Sequence, residues 1–279
     1  MRRTPTRIPA RSEAPRGAAG PGTSAEASAS GKADNLIVFT SPSGGVGTST
    51  LTALIALTLH SRDLRCALLD ADLDGGGLGV LLGIEHEPGL TLQDLDAPLG
   101  RIEGEALGQE LPHWEDMGVL AHTPWRGNAP EWWELEAAAQ ALGETNDVVL
   151  VDAGRGRTLE ETPLLAGSRR IVLTELSVLG MVRAKAHIAA IGRHGGDAPL
   201  LVGADPQGAP RRSAADALST ADAIAYLDDD VLGPLRCAPA LCADLLAGLG
   251  IRAVPRRNRR VCEAIAVHIT EALGIEPQW

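Results

Sequence analysis

Apolar and polar positions alternate on two length scales along the chain from residue 35 onward. Short runs that are rich in aliphatic or β-branched residues have the length of strands, and several of them are continuously apolar. Such continuous runs are typical of strands that are buried on both faces of a parallel sheet. The pattern predicts strands at residues 36–40, 66–69, 117–121, 148–151, 171–174, 200–202 and 223–227.

Longer segments with a helical spacing of apolar residues lie between these runs. They predict helices at 48–60, 131–142, 178–192 and 212–219, and two closing helices at 237–249 and 259–273. Alternation of strands and helices requires crossover connections, which are right-handed and build an open α/β sheet. We therefore expect an α/β fold in which residues 34–279 form one domain, with a doubly wound, mostly parallel sheet flanked by helices.

Residues 1–33 differ from the rest of the chain, because they are rich in Pro, Gly, Ala, Ser and Arg and poor in large apolar side chains. Burial of such a segment does not offset the entropy cost of ordering it, so we expect a disordered basic tail. The tail serves either as a solvated leader or as a weak electrostatic tether to an acidic partner or a membrane surface. Neither a secretory signal nor a transmembrane segment is expected, and we predict a cytoplasmic protein.

The composition limits the chemistry available to the chain. Its formal net charge of -11 disfavours nucleic-acid binding as the main activity, although a local basic patch remains compatible with it. The four cysteines form no Cys-x-x-Cys pair, so we expect buried, reduced thiols, and the seven histidines show no metal-ligand spacing. Lysine occurs only at Lys32 and Lys185, which excludes any mechanism that needs a lysine elsewhere.

The first predicted strand leads directly into a glycine-rich segment that precedes a predicted helix. The segment reads Ser41-Pro42-Ser43-Gly44-Gly45-Val46-Gly47-Thr48-Ser49-Thr50. Small residues allow backbone N–H groups to converge, and the dipole of the following helix favours an anion. The order strand, turn, helix therefore predicts a phosphate-binding loop.

This loop resembles the deviant Walker A motif of the ParA/MinD superfamily of P-loop ATPases, Lys-Gly-Gly-Val-Gly-Lys-(Ser/Thr)-(Ser/Thr). Ser43 and Thr48 stand where the superfamily has its two lysines. The resemblance implies that the nucleotide is bound by Gly44, Gly45, Val46, Gly47, Thr48, Ser49 and Thr50.

Two acidic segments follow in the order of the superfamily's motifs. The run that contains Asp72 and Asp74 resembles its switch I region, which implies that one of these carboxylates positions the attacking water. The strand that ends before Ala153 resembles its Walker B strand. The resemblance implies that Asp152 orients Mg²⁺ through water and that Ser49 is a Mg²⁺ ligand. ATP and Mg²⁺ are thus the implied cofactors, and the loss of both lysines implies weak binding and little or no ATPase activity.

Within the superfamily, the missing lysines and the segments 67–79 and 89–95 resemble the CpaE/TadZ-like branch, and more narrowly the actinobacterial CpaE-like septum-site-determining proteins. This resemblance implies a degenerate nucleotide-binding scaffold that positions or regulates cell division or the assembly of a Tad-type pilus or secretion system. Proteins of those assemblies are the implied partners, recruitment to the membrane or the pole occurs through them, and a homodimer is compatible with the resemblance. The alternatives are a slow Mg²⁺-ATPase switch of the ParA/MinD type and, less favoured, a DNA-partition protein.

Two further features bear on partners. Trp114, Trp125, Trp132 and Trp133 cluster in a chain that has one Phe and one Tyr. They either pack in the core or, with Arg126 among loop-forming residues, present an aromatic partner surface formed by Trp125, Arg126, Trp132 and Trp133. An arginine cluster at 256–260 forms either a phosphate contact or a solvated surface, and DNA is the less favoured reading.

Overall fold

A computed structural model of the chain describes residues 34–275, apart from 76, 98–99, 124, 194–196 and 207–217. Within these residues the strands are β1 (Leu36–Thr40), β2 (Cys66–Asp70), β3 (His113–Trp114), β4 (Met117–Leu120), β5 (Val148–Asp152), β6 (Arg169–Glu175), β7 (Leu200–Ala204) and β8 (Val231–Leu235). The helices are α1 (Thr48–His60), α2 (Leu78–Leu82), α3 (Gly104–Glu110), α4 (Trp132–Thr145), α5 (Pro163–Ala166), α6 (Val178–Arg193), α7 (Thr220–Leu227), α8 (Pro239–Leu246) and α9 (Arg259–Leu273). Short 3₁₀ turns occur at Leu92–Asp94 and Thr158–Glu160. The predicted tail at 1–33 lies outside the described residues.

The described strands form one sheet in the order β3-β4-β2-β5-β1-β6-β7-β8. Every neighbouring pair is parallel except β3 and β4, which form an antiparallel edge. Parallel neighbours require crossover helices, and the helices cover both faces of the sheet. This architecture confirms the predicted α/β class and mostly parallel sheet.

The central strands are buried along their whole length, which accounts for their continuous apolar sequences. In β1, Ile37 and Phe39 pack on one face of the sheet with α1 and α9, whereas Leu36 and Val38 pack on the other face with α4. Alternate residues of a strand point to opposite faces of the sheet. When both faces are covered, every position is apolar, and the sequence shows no alternation of apolar and polar residues. Hence apolar runs without alternation gave correct strands here.

The segment 223–227, predicted as a strand, is instead the end of helix α7, and the last strand β8 begins at Val231. Ser219 caps the helix, because its hydroxyl accepts the N–H of Asp222 at 3.1 Å and the Asp222 carboxylate accepts the N–H of Ser219 at 2.8 Å. Asp228 ends the helix in the left-handed conformation, with φ of 58°. The predicted helix at 212–219 lies mostly outside the described residues, and Ser219 is the cap of α7, not part of a preceding helix.

The cysteines are only partly as expected. Cys66 and Cys262 are buried, but Cys237 and Cys242 are exposed, with their sulfur atoms 3.9 Å apart. The prediction of buried thiols is wrong for this second pair because Cys242 lies on α8, which has no buried residue, and Cys237 lies on the exposed segment before it. None of the helices among the described residues has the length and apolar character to cross a membrane.

Trp114 shows how the antiparallel edge is attached to the rest of the fold. Its side chain is 4% exposed, and the indole N–H donates to the carbonyl of Ile251 at 3.0 Å. Trp125 is 72% exposed. The tryptophans therefore divide into a core residue at 114 and surface residues farther along the chain.

We expect Trp114→Ala to lower the free energy of unfolding by about 3–5 kcal/mol, because it leaves a cavity and an unpaired carbonyl. Trp125→Ala is the matched control and should change it by less than about 0.5 kcal/mol. Urea denaturation of both variants measures the difference. Equal stability of the two would contradict this assignment of core and surface.

Candidate functional site

The glycine-rich loop lies at the carboxyl end of β1 and leads into α1, as predicted. Gly45 and Gly47 have φ of 78° and 98°, in the left-handed region that glycine adopts without strain. A Cβ atom added at Gly44, Gly45 or Gly47 would meet no other atom within 4 Å. The loop therefore presents bare backbone to open space.

The backbone N–H groups of this loop are free to bind a ligand. Gly47 is the N-cap of α1, and the first helical bond runs from the Leu51 N–H to the Gly47 carbonyl at 2.8 Å. In the described part of the chain, the backbone N–H groups of residues 44–50 donate no hydrogen bond to a residue outside α1. Free donors of this kind are expected at the start of a helix. Unpaired donors at a helix N-terminus form a site for an anion.

Internal contacts hold the loop in this shape. The Ser41 N–H donates to the carbonyl of Gly154 at 2.9 Å, and the Ser41 hydroxyl donates to the carbonyl of Ser43 at 2.9 Å. Val46 is buried and packs in the core beneath the loop. The loop is thus anchored on both sides while its glycines remain open.

A cavity of about 530 Å³ lies over the loop. It is lined by Ser41, Gly44, Gly45, Gly47, Thr48, Ser49, Thr50, Asp72, Asp74, Gly75, Leu81, Gly154 and Arg155. Most of the predicted nucleotide-binding residues thus share one cavity with both predicted switch carboxylates. Val46 is the exception, because it points into the core.

Two buried carboxylates lie beside the cavity, at the ends of β2 and β5. Asp70 and Asp152 are register partners, and each is 1% exposed. Burial raises the pKa of Asp70 to about 8, with a further increase from the charge of Asp152. Burial also raises the pKa of Asp152 to about 6, and the nearby Ser49 side chain opposes that shift. A cation near this pair would favour the ionised form of both carboxyl groups.

Ser49 and Asp152 fit the Mg²⁺ role that the sequence predicted. Their side chains lie close enough for Ser49 to lower the pKa of Asp152, and both offer the hard oxygen donors that Mg²⁺ prefers. In the part of the chain that the structure describes, no group of three or more His, Cys, Asp or Glu side chains is arranged to hold a metal. The protein would therefore supply only part of the coordination shell, and phosphate oxygens and water would supply the rest.

The two switch carboxylates have different surroundings. Asp72 packs against Gly154, where any Cβ would overlap its carboxylate, and it accepts the N–H of Gly75 at 3.2 Å. Asp74 forms an ion pair with Arg157, with a nitrogen–oxygen distance of 2.6 Å. Asp72 is therefore the better placed of the two to act on a ligand in the cavity, whereas Arg157 is engaged by Asp74.

Sequence reasoning missed three contributors to the site. Asp70 stands at the end of a correctly predicted strand, and its place directly beside Asp152 required knowledge of the strand order. Arg183 of α6 donates to the Ser43 hydroxyl at 3.2 Å, and His187 Nε2 lies 3.3 Å from the Thr40 hydroxyl. Both residues are about 140 positions from the loop in sequence, so no local motif could have signalled them.

The predicted partner surface lies mostly on the outside of the protein. Trp132 and Trp133, at the start of α4, are 44% and 39% exposed and pack edge to face with ring centroids 5.8 Å apart. Trp125 and Arg126 are exposed in the preceding turn, where the Arg126 N–H donates to the carbonyl of Thr123 at 2.9 Å. The structure thus brings Trp132 and Trp133 together and leaves Trp125 on a neighbouring loop.

Comparison with known proteins links the loop region to P-loop NTPases. Residues 32–103 match the ParA family model, described as the NUBPL iron-transfer P-loop NTPase. The chain is 35% identical over 92 residues to a septum site-determining protein MinD of Chlorella vulgaris, covering 32% of this chain and 30% of that protein. It is 30% identical over 162 residues to the iron-sulfur cluster carrier protein of Pseudomonas fragi, covering 54% of this chain and 53% of that protein. The chain spans no more than about half the length of these relatives.

Solved structures extend the likeness to almost the whole described fold. The septum site-determining protein MinD from Pyrococcus horikoshii OT3, complexed with Mg-ADP, aligns with a TM-score of 0.63 and 20% identity over 86% of this chain and 98% of that one. The MinC:MinD cell division complex of Aquifex aeolicus gives a TM-score of 0.65 and 19% identity over 88% and 98% of the two chains. These likenesses confirm the predicted fold.

We expect Gly47→Val to abolish measurable binding of Mg²⁺-ADP, because its side chain would fill the space above the loop backbone. Gly274→Val is the matched control: Gly274 also has a left-handed φ, of 66°, and open space around it, but it caps α9 and does not line the cavity. Both variants should lose about 1–3 kcal/mol of stability through backbone strain. Calorimetry that finds equal ADP affinity in the two variants would show that the loop is only structural.

Proposed function

We propose, from the match of residues 32–103 to the ParA family model, that the protein binds a Mg²⁺-nucleotide weakly and works as a scaffold with little or no hydrolysis. The observation that carries the proposal is the combination of an open backbone cradle with Ser43 and Thr48 at its two charged positions. The cradle supports binding of phosphate. The missing charges support weak affinity and slow chemistry.

Binding is proposed to rest on neutral donors. The N–H groups of the loop and of the first turn of α1 would hold the phosphates, with Ser49 and Asp152 on the side of the cation. Bound Mg²⁺ would supply charge that offsets the phosphates and the buried carboxylates. Thr48 is 7% exposed and ends in a hydroxyl, which donates a hydrogen bond but carries no charge.

Slow hydrolysis follows from the same deficit. Each charged donor removed from a reacting phosphate typically costs about 10² to 10³ in rate. Asp72 remains in the cavity and is the residue best placed to position water, with Asp74 restrained by Arg157. This carboxylate supports the alternative function, a slow Mg²⁺-ATPase switch of the ParA/MinD type.

The proposed output is recruitment of partner proteins by the surface formed by Trp125, Arg126, Trp132 and Trp133. Aromatic and arginine side chains are enriched at the centres of protein interfaces. We place the function with CpaE-like septum-site-determining proteins, in cell division or in Tad-type pilus or secretion assembly. In this proposal the protein is cytoplasmic and reaches the membrane or pole through its partners, as a monomer or a homodimer.

Other functions have less support. Relatives of this chain include both MinD and iron-sulfur carrier proteins, so their names do not select an output. A DNA-partition role rests on the exposed arginines 256, 257, 259 and 260, one of which, Arg257, donates to the carbonyl of Cys237 at 2.7 Å. The net charge of -11 opposes that role.

We expect Thr48→Lys to tighten Mg²⁺-ATP binding about tenfold or more, because it places a charged donor at the start of α1. The parent protein should show no steady-state ATP turnover above that of Asp152→Ala. Calorimetry measures affinity, and phosphate release measures turnover. Parent turnover that is lost in Asp152→Ala would favour the ATPase alternative, and unchanged affinity in Thr48→Lys would refute the role given to position 48.

Replacing Trp132 and Trp133 by Ala should abolish co-purification of division or pilus-assembly proteins without lowering the melting temperature by more than a few degrees, because both rings lie partly exposed at a helix start. Leu246→Ala is the control, since this side chain is 91% exposed on the distant helix α8. Partners that are retained by the tryptophan variant and lost by Gly47→Val would overturn the scaffold proposal in favour of a nucleotide switch.

A further inference from the structure

We infer that Arg183 of α6 supplies the positive charge for phosphates bound on the loop, in place of a lysine within the loop itself. The inference rests on the proposed function, because it concerns the ligand of the same site. It assigns a phosphate-binding role to a residue that lies outside every motif of the sequence.

The inference rests on the contact between Arg183 and the loop. Its Nη1 donates to the Ser43 hydroxyl at 3.2 Å, and Ser43 directly precedes Gly44, which lines the cavity. An arginine has five N–H donors, so a single hydrogen bond leaves most of the guanidinium available. None of the ion pairs among the described residues includes Arg183.

The start of α6 is fixed against the end of β6, which places Arg183 at the loop. Gly180 packs so closely on the carbonyl of Glu175 that no Cβ fits there, and its own carbonyl accepts the Thr174 hydroxyl at 3.3 Å. Met181 and Ala184 are buried on the inner face of the helix. The position of Arg183 is therefore set by packing of the helix, and the exposed side chain itself remains free to move toward a ligand.

A contact of His187 with the end of β1 also holds this face of α6 close to the loop. His187 lies four residues after Arg183, so the two side chains share one face of α6, and its Nε2 is 3.3 Å from the Thr40 hydroxyl at the end of β1. Burial lowers the pKa of His187, and the charge of Arg170 lowers it further. The histidine is thus a neutral contact, and Arg183 is the cation that this face of α6 brings to the loop.

The other cationic side chains of these segments have partners of their own. Lys185 lies over the ring of Tyr226, 5.1 Å from its centroid, and Arg157 is paired with Asp74. Arg155 lines the cavity, but so do the carboxylates of Asp72 and Asp74. A polyphosphate in this cavity therefore needs a further cation, and Arg183 has unpaired donors beside Ser43, the residue before Gly44 of the cavity lining.

An arginine suits this task when it acts from a neighbouring helix. Its planar guanidinium can keep one N–H on the Ser43 hydroxyl while others reach a phosphate oxygen, which a single ammonium does less well. Ser43 then acts as a positioning residue that holds the guanidinium at the rim of the loop.

The test compares Mg²⁺-ADP and Mg²⁺-ATP affinity, by calorimetry, in the parent, Arg183→Gln and Arg193→Gln. Arg193 is exposed at the far end of the same helix and controls for the loss of one positive charge. We expect Arg183→Gln to weaken binding about tenfold and to reduce its sensitivity to added salt, whereas Arg193→Gln should change affinity less than twofold. Arg183→Lys should retain part of the affinity, and Ser43→Lys combined with Arg183→Gln should restore it by moving the charge onto the loop.

The outcomes separate the inference from its premise. A parent protein that binds neither nucleotide would refute the proposed function and the role of Arg183 with it. A parent that binds, with equal affinity in Arg183→Gln, would overturn the inference alone. Equal weakening by Arg183→Gln and Arg193→Gln would also overturn it, because the effect would then reflect net charge. Thermal melts of each variant confirm that the binding values refer to folded protein.

Discussion

The parallel pairing of β1 with β5, and of β5 with β2, is the constraint on which the candidate site depends. Parallel strands end at the same edge of a sheet, so the loop after Thr40 and the carboxylates of Asp70 and Asp152 meet there. The register sets Asp70 opposite Asp152, although the two residues are 82 positions apart in sequence. A change of strand order would separate these groups while leaving each local motif intact.

This pairing also places two acidic groups side by side, and ionisation of both requires positive charge from the rest of the edge. Two carboxyl groups are buried side by side, and the loop beside them carries no cationic side chain. Backbone N–H groups from Leu78 and His122 stabilise the Asp70 carboxylate, at 3.2 and 3.4 Å, but they add no net charge. Positive charge near the loop comes from Arg155, which lines the cavity, and, by our inference, from Arg183 of α6. The site is therefore built by several elements, and its electrostatics follow from the tertiary structure.

The sequence predicted the parts of this structure that depend on short-range patterns. Continuous apolar runs identified the central strands because those strands are buried on both faces, and the glycine-rich loop was recognisable from its composition and position. The strand predicted at 223–227 was wrong because a short apolar run does not distinguish strand from helix, and the deciding signal was the Ser219 cap. The contact between Arg183 and Ser43 depends on how α6 packs against β6. The local sequence around either residue does not predict that packing.

The sheet edge that carries the candidate site and the surface formed by Trp125, Arg126, Trp132 and Trp133 are joined by a chain of contacts. Asp70 accepts the N–H of His122, whose ring lies 2.7 Å from the Gln93 side chain. The Gln93 amide donates to the carbonyl of Thr123 at 2.9 Å, and that carbonyl also accepts the N–H of Arg126. The turn that carries Arg126 thus begins at residues that contact a buried carboxyl group of the candidate site. Because this path consists of a buried carboxyl group and hydrogen-bond contacts of 2.7 to 3.4 Å, ligand binding would stabilise the existing turn. A switch would need a second arrangement with a different ligand affinity.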